Sequence, residues 1–224
     1  MSLQVKICGL TSPEPLEVAL ESGADLVGFV FFAPSPRHLG LEAARQLSAQ
    51  VGGRAGKVAL SVDANDETLH GIVDALKPDW LQLHGSETPE RVAVVRSRFG
   101  IPVMKVLPIA QRDDLSPVRL YAKVAERLVF DARPAADATR PGGLGKTFDW
   151  NLLKGVDPAT DFMLSGGLDA SNVAEAVAIT NARGVDVSSG VERAPGQKDP
   201  DKIRAFIRAA RAAERGKKTL AKLP

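Results

Sequence analysis

Apolar and polar positions along the 224 residues switch repeatedly between an alternating and a helical period. Short apolar runs ending over 5–10 and spanning 26–32, 57–62, 80–83, 102–106, 127–131, 162–165 and 184–188 have the length and content of strands. Helical spacing is predicted over 11–22, 41–51, 65–76, 89–99, 113–123, 150–153, 170–180 and 200–213. Thr11-Ser12-Pro13-Glu14 supplies a hydroxyl cap with proline and glutamate in the first turn, and Gly23 closes that helix. Eight strands alternating with eight helices imply parallel strands joined by crossover helices. In a chain of this length the pattern predicts an α/β fold, a closed (β/α)8 TIM barrel rather than an open sheet. No domain boundary interrupts it, so residues 1–213 are read as one barrel domain and 214–224 as a basic, frayed tail. The longest irregular stretch, 132–147, is rich in Pro, Gly and Ala.

Composition narrows the classes. A hydrophobic share of 44% with 25% charged residues suits a soluble domain with a sizeable core. A net charge of +2 is too small to argue for nucleic acid or an anionic membrane, though it leaves room for local sites for a small anion. The single cysteine excludes an internal disulfide and fits a reducing compartment. No apolar run approaches the roughly 18 residues of a membrane span, and the first residues lack a signal-peptide core. The expectation is a cytoplasmic protein.

In such a barrel the chemistry sits at the C-terminal ends of the strands. Those ends read Cys8, the loop of Arg37, Asp63, His84, Lys105, Asp131, Ser165-Gly166-Gly167 and Ser188-Ser189-Gly190. Nearly all are polar or glycine. Alternation puts Lys6 and Cys8 on one face of the first strand and Val5 and Ile7 on the other. A lone cysteine is commonly an inert core filler, so Cys8 gains meaning only from its company. The two small-residue loops after strands seven and eight occupy the usual phosphate position of this fold, where free backbone N–H groups meet an anion. Pro141-Gly142-Gly143-Leu144-Gly145-Lys146 lacks the Walker A spacing and reads as a lid. The three histidines, His38, His70 and His84, make no ligand cluster with the cysteine, so no metal is expected. Lys105 invites a Schiff-base reading, but barrel lysines are commonly ion-pair partners.

Taken together these segments resemble the phosphoribosylanthranilate isomerase family, enzymes of tryptophan biosynthesis. The likeness is carried by Lys6-Ile7-Cys8-Gly9-Leu10, Gly28-Phe29-Val30-Phe31-Phe32 with Ser35-Pro36-Arg37, and Leu81-Gln82-Leu83-His84-Gly85. It continues through Asp131, residues 142–150, Leu164-Ser165-Gly166-Gly167-Leu168 and residues 184–192. Leu144 departs from the small or polar residue more usual in the lid. The resemblance implies an Amadori rearrangement, converting N-(5-phosphoribosyl)anthranilate to 1-(2-carboxyphenylamino)-1-deoxyribulose 5-phosphate without cofactor or metal. It implies Cys8 as general base, Asp131 as general acid, and Arg37 on the anthranilate carboxylate. Gly166, Gly167, Ser188, Ser189 and Gly190 fall to the phosphate, with Lys6, His84 and Asp186 completing the substrate-binding set.

Those roles make chemical sense. A thiol with a reference pKa near 8.5 needs help to be a thiolate, and Lys6 on the same face is the expected source of positive potential. Asp131 has to keep a proton for the ring oxygen. The partner expected is a small phosphorylated substrate, with the chain acting as a monomer or homodimer. A sugar-phosphate epimerase would keep the phosphate loops but usually needs a metal cluster. A non-catalytic phosphate-sensing barrel would have no use for Cys8 opposite Asp131.

Overall fold

The computed structural model describes residues 2–135, 138, 140–157 and 159–220, with side chains through 215. Eight parallel strands close into a barrel in chain order. They are β1 (Gln4–Cys8), β2 (Leu26–Phe31), β3 (Gly56–Ser61), β4 (Trp80–Leu83), β5 (Val103–Ile109), β6 (Arg127–Ala132), β7 (Phe162–Leu164) and β8 (Gly184–Val187). Closure is made by β1 against β8, with Lys6 opposite Asp186 and Ile7 opposite Val187. The helices outside are α1 (Pro13–Glu21), α2 (Leu41–Val51), α3 (Asp66–Leu76), α4 (Pro89–Phe99), α5 (Val118–Tyr121), α6 (Val173–Thr180) and α7 (Pro200–Leu220).

Side-chain alternation divides the core into two layers. Outward residues such as Val5, Ile7, Val27, Phe29 and Leu81 join the helices in one large buried cluster. Inside the barrel, Leu26, Val58, Met104, Val106, Val129 and Met163 fill the lower part. Above them Cys8, Val30 and Leu60 form a smaller apolar floor with Phe32 and Val62.

Several local expectations are corrected, among them the helix expected over 150–153, which is a 3₁₀ turn, Trp150–Gly155. Ser12 is the N-cap of α1 but makes no side-chain cap bond; proline in the first turn carries that start. The helix expected over 113–123 is a 3₁₀ turn, Arg112–Leu115, followed by the short α5, because Pro117 has no N–H to continue the ladder. β5 runs on to Ile109, so Lys105 lies within the strand rather than at its end. Helix α6 starts late, since the Asp169 carboxylate accepts from the N–H groups of Ser171 (2.8 Å) and Asn172 (3.2 Å) and holds a turn there. Beyond β8 lies a hairpin, β9 (Glu192–Ala194) and β10 (Gln197–Lys198), that the sequence pattern left unassigned. Helix α7 continues to Leu220 and takes in the first part of the basic stretch set at 214–224; 221–224 lie outside the described residues.

Candidate active site

Lys6 and Cys8 point into the barrel, as alternation required, and both are buried. The Lys6 ammonium donates to Asp186 Oδ1 at 3.0 Å, a pair made possible by their facing positions across the β1–β8 seam. Burial works against the Lys6 charge, but Asp186 and then Cys8 outweigh it and hold its pKa above the ordinary value. For Cys8 the balance falls the other way. Burial pushes the thiol up, Lys6 pulls it down, and Asp186 adds to the rise, leaving a net upward shift. Lys6 acts on the thiol in the direction expected, but burial outweighs it and Asp186 opposes it, so the lysine alone does not bring Cys8 below its ordinary value. Gly28 makes room for this pair. A Cβ there would lie 2.9 Å from Cys8 Sγ and 3.1 Å from Lys6 Nζ.

Asp131 ends β6, across the barrel from Cys8, and is 5% exposed. Its Oδ1 accepts from the N–H of Ala132 at 2.8 Å. Its Oδ2 lies 3.4 Å from His84 Nε2, an atom with no hydrogen-bond partner among the described groups. The lid lies directly on this pair. A Cβ on Gly142 would sit 2.7 Å from both Asp131 Oδ2 and His84 Cε1, so only glycine allows the backbone so close.

The loops after β7 and β8 form the wall that runs between Asp131 and Cys8. Gly166 and Gly167 have φ of +88° and +62°. A Cβ on Gly166 would be 2.5 Å from the Ala132 nitrogen, and one on Gly167 would press on the Lys146 carbonyl. Gly190 is built for contact rather than for an open cradle, because a Cβ there would collide with the Leu168 carbonyl of the neighbouring loop. The resulting pocket holds about 800 Å³ of atom-free space, counting the open solvent at its mouth. Nine of the eleven residues expected at the site line it; Lys6 sits beneath its floor and Gly190 behind its wall.

Arg37 is buried, which its polar Ser-Pro-Arg loop did not suggest. Its Nε donates to Glu192 Oε1 and its Nη2 to Glu192 Oε2, both at 2.7 Å. Nη2 also reaches the lid carbonyl of Gly143 at 3.1 Å. One edge of the guanidinium is thus already taken by a carboxylate of the protein, and Nη1 lies close under the lid, where a Cβ on Gly143 would collide with it. Gly9 (φ +78°) permits the arginine stem to cross β1, since a Cβ there would lie 2.5 Å from Arg37 Cδ.

Two other residues expected at strand ends prove structural. Lys105 turns away from the pocket, donating to Glu87 at 2.8 Å and to the Gly85 carbonyl at 2.7 Å, so its ion-pair reading holds and the Schiff-base one does not. Asp63 accepts from the Ser86 N–H at 2.7 Å and ties two loops together. Among the described residues no group of three or more His, Cys, Asp or Glu could hold a metal ion, and no helix is long and apolar enough to cross a membrane.

Residues 5–209 match the family model described as N-(5'-phosphoribosyl)anthranilate (PRA) isomerase. The chain belongs to that family. An N-(5'-phosphoribosyl)anthranilate isomerase of Rhodopseudomonas palustris strain BisB5 is 61% identical over 214 residues, covering 96% of this chain and 98% of the relative. The phosphoribosylanthranilate isomerase structure from Thermotoga maritima superposes with a TM-score of 0.85 at 36% identity, covering 94% of this chain and 99% of that one. A second structure of the family superposes at 0.82 and 32% identity over the same shares, and is a complex with reduced 1-(o-carboxyphenylamino)-1-deoxyribulose 5-phosphate.

Around this site the sequence reading missed several residues. Glu192 and Lys198 stand on the unassigned hairpin, 155 positions and more from Arg37. Glu192 lay inside a segment that carried the family likeness, yet nothing in its spacing named a partner. Gln82 is buried on the pocket wall with Oε1 unpartnered. Its inward position follows from the same alternation as His84, and that signal could have found it.

Proposed function

We propose that this chain, an isomerase of tryptophan biosynthesis by family, carries out the Amadori rearrangement with Cys8 as base and Asp131 as acid. The reading is carried by one observation: Cys8 on β1 and Asp131 on β6 face the same lidded pocket from opposite sides. N-(5-phosphoribosyl)anthranilate enters with its phosphate toward Gly166, Gly167, Ser188 and Ser189. Asp131 gives a proton to the furanose oxygen as the C1–O bond breaks, and the anilinic nitrogen lone pair forms the C=N bond. Cys8, as thiolate, then removes the proton from C2, and the electron pair flows into the C1–C2 bond to give the enolamine. Ketonisation of the enolamine yields the 1-deoxyribulose product, so the reaction is redox-neutral and calls on no cofactor or metal. The raised pKa of Cys8 makes it scarce as a thiolate but strong as a base once formed. Arg37 meets the anthranilate carboxylate with its Nη1 end, while Glu192 aims it. His84, against Asp131, backs the acid, and Asp186 holds Lys6 under the thiol. Gly190 supports the phosphate loop from behind.

The setting proposed is cytoplasmic, with a small phosphorylated substrate, no nucleic acid and no membrane. A Thermotoga maritima relative is dimeric, and monomer or homodimer is proposed here. Loss of anthranilate fluorescence during turnover tests the function. Cys8→Ala and Asp131→Asn should each lose at least about a hundredfold in kcat, the scale of a general base or acid, while still binding the reduced product analogue. Near wild-type turnover in either folded variant would remove that residue from the mechanism.

A further inference from the structure

The hairpin after β8 brings a second cation to the carboxylate that holds Arg37. Lys198 Nζ lies 2.9 Å from Glu192 Oε1, the same oxygen that accepts from Arg37 Nε. The Arg37, Glu192 and Lys198 side chains are 4%, 4% and 1% exposed. Two cations and one carboxylate are thus sealed together with one positive charge left over. Lys198 also donates to the Ser188 carbonyl at 2.8 Å, on the proposed phosphate wall. The hairpin is seated by Gly196 (φ +80°), where an added Cβ would collide with the Pro36 carbonyl just before Arg37.

This arrangement raises a charge problem. An arginine paired through two hydrogen bonds to a buried carboxylate has little net charge to offer a second carboxylate. The pair alone would be neutral, and a substrate anion would gain little from desolvating against it. We propose that Lys198 is a positioning residue that supplies the surplus charge. It neutralises Glu192, keeps that carboxylate oriented on Arg37, and so leaves the guanidinium able to attract the carboxylate on the substrate's aromatic ring. The inference rests on the reading of Arg37 given above. Burial, opposed by Glu192, lowers Lys198 to about 8, which leaves it mostly charged near neutrality.

The test compares two non-reacting ligands by calorimetry, the reduced product analogue and the same molecule without its ring carboxylate. Lys198→Met should weaken the first by about tenfold or more, a change of about 1.4 kcal/mol, and the second by no more than about threefold. Its KM should rise by more than its kcat falls. Lys198→Arg, which keeps the charge, should restore most of the difference. Glu192→Gln/Lys198→Met, which returns the cluster to one positive charge, should recover preference for the carboxylate ligand over the single variant. If Lys198→Met does not fold, Lys198→Gln reads the same difference, because it removes the charge and keeps a donor. Equal losses for both ligands, or a double variant no better than the single, would overturn the proposal. Arg37→Ala separates the two layers of argument. Should it lose the carboxylate preference while Lys198→Met keeps it, the inference about Lys198 alone is wrong. Should Arg37→Ala keep the preference, the Arg37 reading fails and the inference goes with it.

Discussion

Gly28→Ala perturbs the base without touching it chemically. Gly28 faces Cys8 in the β1–β2 register, and its carbonyl accepts from the N–H groups of both Gly9 (2.9 Å) and Leu10 (3.1 Å). The strand therefore cannot slide to make room. The new methyl would lie 2.9 Å from Cys8 Sγ, 3.1 Å from Lys6 Nζ and 3.2 Å from Cys8 Cα, against a comfortable separation of about 3.5–4.0 Å. Lys6 is pinned by Asp186 at 3.0 Å, so the sulfur is the atom that gives way, by roughly 0.6–1.1 Å or by a change of rotamer. Overpacking of this kind costs about 1–3 kcal/mol of stability, and a displacement of about 1 Å at a reacting atom costs on the order of a hundredfold in rate. The expected result is a folded protein with kcat lowered roughly 10- to 100-fold and KM little changed, because the anion-binding walls lie elsewhere. Turnover is followed by loss of anthranilate emission, with thermal unfolding as the check on folding. A folded Gly28→Ala variant with kcat within about twofold of wild type would refute the reasoning, since the thiol position would then not limit proton abstraction.

Three other outcomes follow from the geometry. The Cys8 thiolate absorbance, taken as wild type minus Cys8→Ser, should titrate above the ordinary thiol value, because burial raises it; a midpoint near neutrality would contradict the burial argument. The same shift has a stability consequence. A folded-state pKa above the unfolded one means the thiol's contribution is fully present below the unfolded value and lost as pH climbs through the folded one, so the stability gap between wild type and Cys8→Ser should stay constant below the unfolded thiol's value and shrink as pH rises above it. Lys105→Met should lower stability by about 3–5 kcal/mol, because it leaves the Glu87 carboxylate buried without its cation; chemical denaturation measures this, and the folded fraction should turn over at close to the wild-type rate.

The hydrophobic pattern by itself determined the strand order, the alternation that put Lys6 and Cys8 inside, the strand that carries Asp131, and the loops that carry Gly166 and Ser188. These are local properties: a period of two reports which face a side chain takes, and a glycine after a strand reports a turn. Pro117 shows a local signal overlooked rather than absent, since its missing N–H breaks the helix expected there. Only the tertiary structure decided how the charges pair. Lys6 meets Asp186 from 180 positions away because the barrel closes between β1 and β8, and burial together with that carboxylate outweighs the downward pull of the lysine on Cys8. Arg37 was legible as a cation at the mouth, but its burial against Glu192 and Lys198 was not, because the hairpin that brings them has strands of only three and two residues. Such short strands carry too little periodicity to be read, and the sign of a buried pKa shift depends on which opposite charge closure brings within a hydrogen bond's reach.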